Sequence, residues 1–152
     1  MNEILLSLTL LAAALLTGNE FAVGMFVHPA LNGLAPKPHV LAVQRIGKTY
    51  GKVMPFWMTS VALLCWALLF TVAPMFSLVW WLFAAAAFLY SAVIVFSVLG
   101  PVPINNQVIE WNADDLPDDW RDLRRRWDAL HNVRIAMLVA GFGCLLLGLI
   151  KI

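Results

Sequence analysis

Long apolar runs alternate along the chain with two segments that hold nearly all of its charges. The apolar runs cover residues 4–27, 55–72, 77–99 and 133–150. A helix that crosses the hydrocarbon core of a bilayer needs about 20 mainly apolar residues, so each run predicts a transmembrane helix. The pattern therefore predicts an all-α fold, in which residues 1–152 form one domain, an integral membrane four-helix bundle.

Two long polar connections, residues 28–54 and 100–132, separate these runs. Pro55 suits the first turn of the second span, where its missing N–H is not needed. Pro74 leaves room only for a tight turn before the third span, and the sequence GPVP at 100–103 should end that span. Because successive spans run in opposite directions, both long connections are expected at the same end of the bundle.

The segment before the last apolar run continues a helical pattern. Its apolar and aromatic positions recur three or four residues apart, at Trp120, Leu123, Trp127, Leu130 and His131. Aspartates crowd the first turns and arginines follow, which the helix dipole favours. We therefore expect the fourth helix to begin near Pro117, to measure about 50 Å at 1.5 Å per residue, and to extend into the cytoplasm. Residues 38–50 predict a short helix at the membrane interface.

Composition supports the membrane interpretation. Hydrophobic residues make up 62% of the chain and charged residues 12%, against about 45–50% and about 25% in soluble domains. The net charge of +1 and the absence of a basic stripe predict no nucleic-acid partner. Cys65 and Cys144 lie inside apolar runs without metal-binding or haem-attachment spacing, so we interpret them as buried hydrophobic residues.

The basic residues predict the orientation of the bundle. All of the ten Lys and Arg residues except Lys151 lie in the two long connections or at the start of the last span. By the positive-inside rule, connections one and three are cytoplasmic and both termini lie outside. The expected location is the inner, or plasma, membrane of a bacterium.

A few polar residues interrupt the first span. Glu20, Gly24 and His28 are four residues apart and share one helix face, where Gly24 leaves a gap for a ligand or a close-packed neighbour. A carboxylate at this depth costs a few kcal/mol unless it is neutral, paired or hydrated, so Glu20 should point inward. The predicted topology brings His28, Asn105 and His131, from three separate segments, to the cytoplasmic end of the bundle.

Each of these residues also has a purely structural interpretation. Glu20 could be protonated and hydrogen-bonded within the core, His28 could reach the headgroups, and His131 could be a packing residue. Arg134 and Trp127 could anchor the interface. A bound metal would use Glu20, His28 and His131, the two histidines could instead ligate a haem, and the site could also work without a cofactor.

Three motifs carry a resemblance to a known family. They are FAVGMFVHPAL at 21–31, PVPINNQVI at 101–109 and WDALHNVR at 127–134. Strung over four spans, they resemble the anthrone-oxygenase-like family of small membrane proteins, many of which are grouped only as a domain of unknown function. Fungal members oxidise polyketide anthrones to anthraquinones with molecular oxygen. The resemblance implies that Asn105, Trp127 and Arg134 bind substrate.

The residues and the resemblance together predict a membrane oxidoreductase or oxygenase. Its substrate would be a small aromatic or quinol-like molecule in a cytoplasmic-side pocket. The expected catalytic residues are His131, His28 and Glu20, and the expected substrate-binding residues are Asn105, Arg134, Trp127 and Gln44. A histidine would act as general base, since imidazole titrates near neutral pH, and Asn105 and Arg134 would stabilise oxyanion charge.

Two other functions remain open at this point. The chain could be a non-catalytic small subunit or assembly factor of a larger membrane complex, with its projecting fourth helix as the docking surface. It could also be a transporter or proton pathway that uses Glu20, although four spans without an inverted repeat argue against a secondary transporter. The expected partners are the lipid bilayer, a small hydrophobic aromatic molecule and a second copy or larger complex.

Overall fold

The chain is helical along almost all of its length. The computed structural model describes residues 2–72 and 74–152. The helical elements are α1 (Asn2–Ala22), a π-helical segment (Val23–Val27), α2 (His28–Asn32), α3 (Pro36–Val72), α4 (Leu78–Leu99), α5 (Pro101–Glu110) and α6 (Trp120–Ile150). In this described part, four helical stretches are long and apolar enough to cross a membrane: Glu3–Asn32, Pro36–Val72, Leu78–Glu110 and Trp120–Ile150. The predicted all-α fold with four such helices is confirmed.

The four long helices pack in a ring, with α1 and α4 each lying against both α3 and α6. Leu16, Leu68, Phe83 and Leu138 are buried at its centre, one from each long helix. Tyr90 crosses the middle of the bundle, where its hydroxyl and that of Thr17 share a hydrogen bond of 3.1 Å. Burial of these apolar side chains holds one face of each helix against its neighbours.

The outer surface of the bundle is apolar. Leu11, Phe70, Phe88 and Leu147 are examples of large side chains that remain exposed, one on each long helix. A water-soluble monomer rarely exposes so continuous an apolar surface. This surface is suited to contact with lipid chains.

The helix α3 differs from the sequence-based prediction. The predicted interfacial helix at 38–50 and the second span form one continuous helix from Pro36. Pro55 therefore lies in the helix interior, where its missing N–H leaves the carbonyl of Gly51 without its usual partner. Contacts outside the helix hold its first half in place, among them the hydrogen bonds that Gln44 makes with the end of α5.

The third and fourth spans differ in smaller ways. The third span ends at Leu99 as predicted, but Pro101 then opens a further helix, α5, at the position where proline is favoured. The helix α6 begins at Trp120, three residues after Pro117, because residues 111–119 form turns.

Candidate functional site

A cavity of about 280 Å³ lies between the helices at the end where α4 gives way to α5. Glu20, His28, Trp127 and Arg134 form its polar wall, while most of the remaining surface is apolar. Small-molecule sites are concave and mainly apolar with a few polar groups, at volumes of about 300–1,000 Å³. The cavity has this character and lies close to the lower end of that range.

A buried ion pair stands at the polar wall of the cavity. Arg134 Nη2 lies 2.6 Å from Glu20 Oε2, a distance that makes an ion pair although the hydrogen-bond angle is poor. Arg134 Nη1 also donates to Ser97 Oγ at 3.4 Å. Among the described residues, Glu20 Oε1 has no hydrogen-bond partner, although it is buried. The predicted inward direction of Glu20 is therefore observed, and the residue keeps one free acceptor.

His131 connects this ion pair to the backbone of α1. Its Nδ1 accepts from Arg134 Nη2 at 2.8 Å, because a guanidinium can only donate. Its Nε2 must then carry the proton, and it donates to the carbonyl oxygen of Glu20 at 3.1 Å. Both ring nitrogens are occupied by protein atoms, so His131 orients Arg134 and ties α6 to α1.

Gly24 lets the two helices approach at this level. A Cβ at Gly24 would lie 3.0 Å from His131 Cδ2 and would overlap the end of the Ile135 side chain. The gap expected at Gly24 is thus filled by a close-packed neighbour. The π-helical turn at Val23–Val27 also falls here, and such turns occur frequently at functional sites.

The rings of His28 and His131 both stack on the indole of Trp127. The ring of His28 stacks on the indole of Trp127 with centroids 4.4 Å apart, and the ring of His131 stacks on it at 4.7 Å. The two imidazole centroids are 6.0 Å apart. Trp127 Nε1 is buried beside the cavity without a partner in the described part of the chain. The structure therefore brings together His28, Trp127, His131 and Arg134, which come from two ends of the sequence.

Arg124 and Asp128 form a second charged pair behind His28. Arg124 Nη2 donates to His28 Nδ1 at 3.0 Å, and Asp128 Oδ1 lies 3.4 Å from the same nitrogen. Asn32 Nδ2 donates to the other oxygen of Asp128 at 3.2 Å. The two buried arginines, Arg124 and Arg134, are thus offset by two carboxylates, which burial of charge requires.

Sequence reasoning missed Arg124 and Asp128 as members of the site. In the sequence, Arg124 is one of the three consecutive arginines, 124–126, whose position the helix dipole favours. The available signal was its spacing from Trp127 and His131, three and seven residues along the same helix face.

The two remaining predicted substrate contacts have different positions. Asn105 lines the cavity. Gln44 is absent from the cavity wall, and its Nε2 donates to the carbonyl oxygens of Val108 and Trp111 at 2.9 Å each. Because these carbonyls lie at the end of α5, Gln44 caps that helix, and its position favours a structural role over the predicted substrate contact.

The site offers no ready-made metal-ligand set. Within residues 2–72 and 74–152, no group of three or more His, Cys, Asp or Glu side chains is arranged to hold a metal ion. Both nitrogens of His131, and Nδ1 of His28, accept or donate hydrogen bonds within the protein. Ligation of a metal or of a haem by His131 would require its hydrogen bonds to rearrange, whereas His28 could ligate through Nε2 with its bond to Arg124 intact.

Comparison with known proteins gives one informative result. The sequence model of the anthrone oxygenase family matches residues 48–144, which is more than half of the chain. No curated protein and no solved structure gives a significant match. The matched segment includes Asn105, Trp127 and Arg134 of the cavity wall and also His131, whereas Glu20, a further residue of that wall, lies before it.

Proposed function

Because this chain belongs to the anthrone oxygenase family, we propose that it is a membrane oxidoreductase that oxidises a small aromatic or quinol-like molecule with molecular oxygen. The observation that carries the proposal is the buried carboxylate of Glu20, which lines an otherwise mostly apolar cavity and keeps one oxygen unpartnered. An intramembrane carboxylate that faces the interior of a bundle is costly to bury and supports the hypothesis of a functional site.

The reaction balances for an anthrone. The ring CH₂ group loses two hydrogens and becomes a carbonyl, one oxygen atom of O₂ enters that carbonyl, and the other leaves with both hydrogens as water. Removal of the first proton gives an aromatic oxyanion, which is more easily oxidised than the neutral ketone. A positioned base and a stabilised oxyanion are therefore what the protein must supply.

Glu20 is the best-situated base. Its Oε1 is free to accept a proton, whereas both ring nitrogens of His131 already hold hydrogen bonds. We therefore assign His131, which sequence reasoning proposed as a base, to the positioning of Arg134. Arg134 offsets the charge of Glu20 before the proton transfer.

Donors for the oxyanion lie around the same cavity. Trp127 Nε1–H is unpartnered among the described residues, and the amide of Asn105 lines the wall. His28 accepts from Arg124 at Nδ1, so its Nε2 carries a proton and can also donate. These groups would stabilise negative charge on the substrate oxygen in a water-poor site.

We further propose that the cavity lies at the cytoplasmic side of a bacterial inner membrane. The support is the positive-inside rule, since exposed basic residues such as Lys37, Lys48 and Arg125 belong to the same end of the bundle as the cavity. In this orientation the first turns of α6 extend into the cytoplasm and both termini lie outside.

The direct test is turnover by protein purified in lipid nanodiscs. Anthrone is mixed with oxygenated buffer, and oxygen uptake and anthraquinone absorbance are recorded above the protein-free rate. We expect one molecule of O₂ to be consumed per anthraquinone formed. Glu20→Gln should abolish this activity, whereas Glu3→Gln, at an exposed carboxylate of the same helix, should not.

A second pair of variants covers the case in which Glu20→Gln fails to fold. Asn105→Ala removes a cavity amide and should slow turnover, while Gln107→Ala removes an exposed one on the same helix and should not. Wild-type protein that oxidises neither anthrone nor a hydroquinone would refute the proposal. If that protein also co-purified with stoichiometric partner subunits, the alternative of a non-catalytic subunit would be favoured.

A further inference from the structure

Some residues that line the cavity are also exposed on the outside of the bundle. On α3 they are Gly51, Pro55 and Thr59, which are four residues apart and share one face. In contrast, Glu20 and His28 of the opposite wall are buried. The cavity therefore reaches the surface on the side of α3.

On the other side of the opening, α4 and α5 carry a second set of exposed residues that line the cavity. Val98 of α4 and Val102 and Asn106 of α5 line the cavity and are exposed, with exposed fractions of 58% for Val98 and 39% for Val102. They too are four residues apart. We call these two sets, 51/55/59 and 98/102/106, the mouth of the cavity.

Regular helical hydrogen bonding is interrupted on both sides of the mouth. Pro55 removes a backbone hydrogen bond from α3, and Gly100 and Pro101 separate α4 from α5. Gly51 adds no side chain, and a Cβ built there would meet nothing within 4 Å. The space beside Gly51 is thus open rather than tightly packed.

Polarity changes from the mouth to the inner wall. The passage runs past apolar side chains, among them Met54, Met58 and Ile94, and ends at the Glu20–Arg134 pair. Thr59 and Val98 lie within the predicted spans, near their ends, whereas Gly51, Val102 and Asn106 lie in the predicted connections, so the mouth is expected at the boundary of the lipid chains. A molecule dissolved in the bilayer would reach the part of the opening at Thr59 and Val98 without first entering the water.

We infer that the cavity is filled sideways from the bilayer through this mouth, and that its ligand is a lipid-dissolved aromatic molecule that enters with its polar end first. The inference rests on the proposed function for the nature of the ligand. The inference adds the path by which the ligand enters the cavity, which the proposed activity alone does not specify. A ligand that reaches the site from lipid needs no water-filled channel at the end of the bundle.

The test measures rates of binding rather than affinity. Anthraquinone, which is not consumed, serves as the probe, and its binding to protein in liposomes is followed by stopped-flow quenching of tryptophan fluorescence. Gly51→Phe places a large side chain in the mouth, where a Cβ meets nothing within 4 Å, and replaces a helical glycine by a better helix former, so it should fold. Gly18→Phe, at an exposed glycine of α1 that also meets nothing within 4 Å, is the matched control.

We expect Gly51→Phe to slow both association and dissociation by at least about tenfold and Gly18→Phe to change neither. Val98→Trp should act in the same way, with Val95→Trp, at an exposed position outside the cavity, as its control. Slower release is the decisive sign, because a side chain that merely occupied the cavity would weaken binding and speed release. Unchanged or faster dissociation in both mouth variants would overturn the inference and leave the proposed function intact.

A second measurement distinguishes lipid from water at the mouth. Val98→Cys, in protein whose half-buried Cys144 is replaced by alanine, is labelled with a lipid-soluble maleimide and with a sulfonated one. Faster reaction with the lipid-soluble reagent supports the bilayer route, whereas equal rates would place the mouth in water and refute it. Failure of wild-type protein to bind anthraquinone would refute the inference about its ligand, whereas the proposed function is refuted only if neither anthrone nor a hydroquinone is oxidised.

Discussion

The buried pair of Glu20 and Arg134 allows a quantitative prediction. Glu20→Gln removes the negative charge but keeps the shape of the side chain. In the wild-type protein Arg134 is 8% exposed and its Nη2 lies 2.6 Å from the carboxylate of Glu20. In the variant its guanidinium would remain charged in the interior without that partner. Removing one partner of a buried ion pair costs about 3–5 kcal/mol, so we expect the free energy of unfolding to fall by that amount.

The double variant separates the ion pair from simple loss of contacts. Arg134→Met alone should cost a similar amount, since it leaves the carboxylate of Glu20 unpaired. Replacing both residues removes both charges, so neither partner is left as an unpaired buried charge. The sum of the two single losses in free energy of unfolding should therefore exceed the loss in the double variant by at least about 2 kcal/mol.

The assay is reversible unfolding in mixed micelles, followed by far-UV circular dichroism as the SDS fraction rises. Asp114→Asn is the matched control, because it breaks an ion pair with Lys37 whose side chains are 71% and 57% exposed. Such exposed pairs contribute about 0–1 kcal/mol. Additive single effects for Glu20→Gln and Arg134→Met, or a loss no larger than that of the control, would refute the ion-pair reasoning.

Three further predictions concern the surroundings of the cavity. Gly24→Ala should lower turnover and stability, because its Cβ would press on the ring of His131, and an unchanged rate and unfolding curve would contradict this. Gln44→Leu should lower the free energy of unfolding by about 1–3 kcal/mol without altering anthraquinone affinity, since Gln44 lies outside the cavity wall and caps the far end of α5; weaker binding in an equilibrium titration would instead support the predicted substrate contact. Tyr90→Phe should cost about 0.5–1.5 kcal/mol through the lost bond to Thr17, measured by the same SDS unfolding, and should not affect turnover.

Much of the fold could be predicted because a helix that crosses the hydrocarbon core of a membrane needs a long apolar run, which is visible in the sequence. Each of the four apolar runs became part of a helix long enough to cross a membrane. Proline caused the main differences. Pro55 was assigned to a helix start and lies in the interior of α3, and Pro101 was assigned to a helix end and opens α5. A proline restricts the local backbone in the same way in both settings, and only packing against other helices decides between them.

The meeting of polar residues at one end of the bundle followed from topology, but their individual partners did not. Alternating spans bring His28, Asn105 and His131 to the same end of the bundle. Which nitrogen accepts from which arginine depends on helix rotation and on the π-helical turn near Gly24, and no local pattern encodes that turn. The role of His131 as a positioning residue could therefore be proposed only from the structure.

The account depends most on one claim, that an aromatic molecule binds in the cavity against the Glu20–Arg134 pair. An experimental structure of the protein in lipid with bound anthraquinone tests it directly. We predict that a carbonyl oxygen of the probe lies within hydrogen-bonding distance of Trp127 Nε1 or Asn105, with the far ring toward the mouth. A probe bound on the lipid-facing surface, or rings of His28 and His131 turned toward the acyl chains, would contradict the account.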